Sequence, residues 1–141
     1  MNYLISLIIL SVLAAGCVGQ QAPAESKTVK DYQSLIDNLS ATGLNVTQGD
    51  EISQSFFSVK GRIIKVNGDD VQIFEYERAA DADAEAALTS PDGSTIGTSM
   101  ITWVSTPHFY KKEKLIVIYI GEKPDVIKGL EEALGKQFAG R

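Results

Sequence analysis

The chain has 141 residues, 44% of them apolar and 22% charged, with a formal net charge of −5. That length is one domain's worth. The acidic balance argues against a nucleic-acid partner, and a single cysteine excludes both an internal disulfide and a zinc site built from several thiolates.

The first element is "LISLIILSVLAAGCVG", Leu4 to Gly19, and no charged side chain falls between Tyr3 and Gly19. As a helix this stretch spans roughly 25 Å, slightly less than the ~30 Å hydrocarbon core of a bilayer. Ala14, Ala15 and Gly16 are small enough for an extended peptide to enter a peptidase cleft. Cys17 follows at once, where diacylglycerol transfer requires a thiol. The run Leu13-Ala14-Ala15-Gly16-Cys17 resembles the lipobox of prokaryotic lipoproteins, with the large aliphatic residue one position further from the cysteine. The expected organisation is a signal peptide over 1–16, a lipidated Cys17 and linker over 17–28, and a globular domain over 29–141. "QQAPAESKT" reads as the tether. Kept uncleaved, the same stretch would be an anchor helix, with Lys27 and Lys30 after it and no basic side chain before it.

Beyond the linker, Tyr32, Leu35, Ile36 and Leu39 form one apolar stripe, which predicts a helix over 29–42. Gly43 is placed to end it. A short strand over 44–47 follows, broken by Gly49-Asp50. Two strands, 56–66 and 71–77, flank Asn67-Gly68, a hairpin turn signal. The alanine-rich "AADADAEAALTS" predicts a second helix over 79–90. "SPDGSTIGTS" reads as turn and loop. Residues 100–106 predict a strand, and Pro107 marks an edge, a bend or a strand start. Residues 109–111 and 115–120 form the next hairpin, around 112–114. "LIVIYI" is an unbroken apolar run, as in a strand buried on both faces. A last helix starts near Pro124, with Val126, Ile127, Leu130, Ala133 and Leu134 as its buried stripe. Gly135 ends it, and Phe138 packs back on the domain. The fold class is α+β: a mainly antiparallel sheet with helices packed on one face. The central β-α-β-β-α order suggests a ferredoxin-like arrangement.

The phrases "FFSVKGR", "VNGDDVQIFEYE", "SPDG", "WVSTPHFYKK", "LIVIYIG" and "LGKQFAG" lie between Phe56 and Gly140. On them the chain resembles a group of uncharacterised prokaryotic proteins, many of them apparent lipoproteins. The resemblance implies a compact, often exported domain. It implies no activity, cofactor or partner.

His108 is the only histidine. As a general base or a single ligand it needs a partner supplied by the fold; otherwise it closes a strand bend. Trp103, Phe109 and Tyr110 lie beside it, and strand alternation would put Trp103 and Ser105 on one face. An aromatic patch of this kind binds a sugar, a lipid or a partner's side chain, or else belongs to the core. Trp103, His108, Phe109 and Tyr110 are therefore the candidate ligand-binding residues. No G-x-S-x-G elbow or phosphate-binding lysine loop is present. Asp81, Asp83 and Glu85 do not share a helix face, so no catalytic set, metal or cofactor is assigned. Asn38 and Asn45 stand in glycosylation sequons. The expected function is that of a membrane-anchored extracytoplasmic lipoprotein, acting as a binding or interaction module. Its partners are the membrane, through the lipid on Cys17, and an envelope protein or small-molecule ligand. A structural or regulatory accessory of a membrane complex, or an enzyme using His108, are the alternatives.

Overall fold

The computed structural model describes residues 28–141; the expected signal peptide, Cys17 and nearly all of the expected linker lie outside the described residues. Helix α1 spans Tyr32–Ala41. Asp31 starts it, its Oδ1 accepting from Ser34 N at 2.8 Å while Asp31 N donates to Ser34 Oγ at 2.9 Å. This reciprocal box satisfies two backbone donors that helix geometry leaves orphaned. The predicted stripe Tyr32, Leu35, Ile36 and Leu39 is buried. The remaining elements are β1 (Val46–Ile52), β2 (Gly61–Val66), β3 (Asp69–Glu75), α2 (Ala79–Ala86), β4 (Thr95–Ile96), β5 (Ser99–Met100), β6 (Pro107–Lys112), β7 (Leu115–Ile120), α3 (Pro124–Leu134) and β8 (Ala139–Gly140). The first hairpin turns at Asn67-Gly68, both at positive φ (+49° and +88°), as its sequence predicts.

Six strands form one sheet in the order β1-β2-β3-β7-β6-β8, every pairing antiparallel, and β4-β5 make a separate small hairpin. The class is α+β with a mainly antiparallel sheet, as expected. The helices divide between the faces. Leu115, Val117 and Tyr119 of β7 join α1 and α3 in one core, while Ile116 and Ile118 join α2 in the other. A strand apolar on both sides needs cover on both sides, and α2 supplies the second layer. β7 lies between β3 and β6, as in a split β-α-β unit. Yet β2 flanks β3, β8 adds beyond β6, and α2 and α3 lie on opposite faces, so the sheet departs from a ferredoxin-like one.

Several boundaries shift by two or three residues, β3 to 69–75 instead of 71–77 among them, and four differences change the reading. Gly49-Asp50 does not end β1; the pairing with β2 shifts between Gln48 and Glu51 and resumes, a bulge rather than a break. Phe56 and Phe57 precede β2 in a turn and pack their rings against each other and the core. Helix α2 stops at Ala86, because Thr89 bridges to Ile96 instead of continuing the helix. Residues 101–106 are not a strand: Ile101 N donates to Ser94 O at 2.9 Å and the chain wraps the β4-β5 hairpin before Pro107 starts β6.

The sheet has two distinct ends. At one, Tyr32 N, at the start of α1, donates to Glu75 Oε2 at 2.9 Å, and Glu75 pairs with Leu115. At the other, Pro107 pairs with Ile120, and residues 101–106 cross there. Within the α1/α3 core, the Tyr110 hydroxyl is buried without a hydrogen-bond partner, and burial raises its pKa to about 12. Tyr110→Phe removes that unsatisfied group and is expected to stabilise the fold by about 1 kcal/mol; urea unfolding measures it, and a loss of stability would show that the hydroxyl is satisfied after all.

Candidate functional site

A groove of about 580 Å³ opens at the Pro107–Ile120 end of the sheet. Trp103, Val104, Thr106, Asp92, Glu122 and Arg141 are among its lining residues. Trp103 is half-buried and fixed. Its Nε1 donates to Gly93 O at 2.7 Å, and its ring meets Phe109 edge-on at 5.6 Å and Phe56 at 6.2 Å. Gly93 permits this approach: it sits at φ +71°, and a Cβ there would run into the Phe109 ring.

Asp92 is held as firmly. Its Oδ1 accepts from Ser94 N at 3.0 Å, from Ser90 Oγ at 2.8 Å and from Ser94 Oγ at 2.8 Å. The Ser94 backbone N–H, with the two hydroxyls behind it, pulls the carboxyl down to about 2. Asp92 is thus an ionised, oriented acceptor at neutral pH. A depressed carboxyl pKa stabilises the fold above the unfolded value of 3.8, and that contribution is lost as pH falls toward about 2. Asp92→Asn is therefore expected to flatten the fall in melting temperature between about pH 4 and pH 2; parallel wild-type and variant curves would refute it.

Glu122 follows β7 and accepts from Thr106 Oγ1 at 2.7 Å. Arg141 follows β8, its N donating to Pro107 O at 3.1 Å. These contacts bring two acidic residues and Arg141 to the lining of the groove.

The four candidate residues do not form one site. Phe109 is wholly buried beneath Trp103, on the α2 face. Tyr110 points the opposite way, into the α1/α3 core. His108 is 7% exposed and does not line the groove. Its Nδ1 lies 2.6 Å from Gln137 Oε1, its Nε2 lies 3.0 Å from Gly121 O, and its ring stacks on Tyr119 at 5.9 Å. Tyr119 is itself fixed, donating to Asp69 Oδ2 at 2.7 Å and accepting from Lys123 N at 3.1 Å. With both ring nitrogens engaged, His108 braces β6 against the turn after β7 and the C-terminal segment, and neither nitrogen faces the groove. Trp103 alone of the four meets the groove. Asp92 was legible only as part of a turn; its Ser-x-Asp-x-Ser spacing is the signal of the side-chain-to-backbone bonds found here. Glu122 and Arg141 carry no local signal.

A second groove, of about 410 Å³, lies at the opposite end of the sheet, beside Tyr32. Its charges answer one another. Lys60 pairs with Glu51 at 2.7 Å, Lys114 pairs with Glu75 at 2.9 Å, and the Arg62 guanidinium lies 4.6 Å over the Tyr32 ring. Of the two sequons, Asn38 is buried in α1, and Asn45 is exposed. Among the described residues no cluster of three or more His, Cys, Asp or Glu is placed to hold a metal, and no helix is long and apolar enough to cross a membrane. Compared with family models, curated proteins and solved structures, the chain matches none.

Proposed function

We propose that the protein is a lipid-anchored extracytoplasmic binding module that takes a small ligand in the groove beside Trp103. The observation that carries this reading is the order of segments. An uncharged apolar stretch ends in Ala14-Ala15-Gly16-Cys17, a polar linker follows, and the folded core begins at Val29. The groove supports the binding role, because its aromatic wall and its acceptors are already fixed by the protein's own hydrogen bonds, which lowers the ordering cost of binding. The engagement of both His108 nitrogens weighs against an enzyme built on that residue. Cys17→Ser is expected to abolish metabolic lipid labelling and to move the protein out of detergent-phase extracts. A variant that stays in the membrane fraction without label would show that the apolar stretch is an anchor helix instead.

A further inference from the structure

We propose, resting on the binding role above, that the ligand class of the Trp103 groove is a neutral carbohydrate. The chemistry of the walls narrows the choice. The apolar lining is short, with Val104 exposed and Ile101 half-buried beside the half-buried indole, too little to remove a lipid chain from water. Two acidic residues, Asp92 and Glu122, and one basic residue, Arg141, line the opening. That excess of negative charge opposes phosphates and other anions. A sugar ring matches what remains. Its C–H face stacks on a flat indole, and its hydroxyls donate to fixed carboxylates and accept from a guanidinium and from hydroxyls.

The acceptors are oriented before any ligand arrives. Asp92 Oδ1 is held by three donors and Glu122 Oε1 by Thr106. Ser94, Thr102, Ser105 and Thr106 add hydroxyls around the same opening. Sugar recognition depends on such alignment, since each bond exchanges one with water and gains little unless the partner is already in place. The groove beside Tyr32 differs on this point: its lysines are already matched to carboxylates of the protein itself.

Trp103 is the only tryptophan, so its emission reports this groove directly. The experiment is a fluorescence titration of the full chain in a polyoxyethylene detergent, which carries no sugar headgroup. The probes are maltotriose, cellotriose and triacetylchitotriose, each up to about 10 mM, enough to saturate a site with a Kd of ~1 mM. At least one is expected to shift the emission saturably. Asp92→Asn and Glu122→Gln are each expected to weaken that response about tenfold or more, and Arg62→Ala, in the other groove, to leave it unchanged. No shift with any of the three sugars overturns the carbohydrate assignment. So does a shift that Asp92→Asn and Glu122→Gln leave intact. Tetramethylammonium chloride, run alongside, separates the two claims: a saturable shift with it alone overturns the sugar but keeps a binding groove. Silence with every probe, from a chain that still melts cooperatively, counts against the binding role as well.

Discussion

Phe109→Ala is expected to lower the unfolding free energy by about 3–5 kcal/mol, the usual cost of deleting a buried phenylalanine ring. Phe109 is wholly buried and sits where three parts of the α2 face meet. Its ring contacts Trp103 at 5.6 Å and Phe138 at 6.0 Å, and it closes against Gly93. None of these neighbours fills the space readily. Trp103 is tied to Gly93 O, and the backbone of Phe138 is tied to Phe109 O. For a domain of this size the cost corresponds to a fall in melting temperature of about 12–20 °C. Phe109→Leu keeps most of the apolar volume and should cost about 1.5 kcal/mol or less. Calorimetry on both variants tests the ordering. Equal effects would mean that the ring's shape, rather than its volume, holds the α2 face together.

Gly140→Ala is the second large effect expected. Gly140 sits at φ +110°, where L side chains are rare, and an added Cβ would meet the backbone carbonyl of Pro107. That neighbour is main chain in β6 and has no rotamer by which to yield. Strain of this kind costs about 1–3 kcal/mol before any clash is counted. The chain has one cheaper response, which is to release β8. That release gives up the bonds from Gly140 N to Pro91 O (2.9 Å) and from Arg141 N to Pro107 O (3.1 Å). It also withdraws Arg141 from the groove. The variant should therefore show a lower melting temperature together with rapid carboxypeptidase trimming of the last residues. A tail as resistant as the wild type's would mean that the turn absorbs the methyl group.

Much of this architecture was legible because it is local. The stripe of α3, its start at Pro124, the Asn67-Gly68 turn and the β6-β7 hairpin each follow from residues within a few positions of one another. The placement of helices was legible in principle. "LIVIYI" reads as a strand buried on both faces, and such a strand is incompatible with a sheet covered on one side only. The hydrophobic run was the better guide than element order. Residues 101–106 read as a strand on composition, but their hydrogen bonds go to Ser94 O, Gly93 O, Gly121 N and Glu122 rather than along a neighbouring strand, and this tertiary context overrides β propensity. The groove was half legible. Trp103 announced itself, whereas Glu122 and Arg141 reach it only through the pairings of Pro107 with Ile120 and His108 with Gly140. His108 drew attention as a lone histidine, and only the fold reveals both of its ring contacts.

The sheet's two borders bear on how this protein behaves in a crowd. Unpaired strand edges invite other chains to add on, and molecules held at a surface meet one another far more often than in free solution. Here one border is β1, exposed along most of its length, and the other is β8, only two residues long. The bulge at Gln48–Glu51 twists the long border out of line, and Asp50 and Glu51 place charge on it. The short border offers too few hydrogen bonds to template a neighbour. Both borders disfavour strand addition, so on the lipid-anchored reading proposed above neighbouring copies should stay separate, each with its groove free.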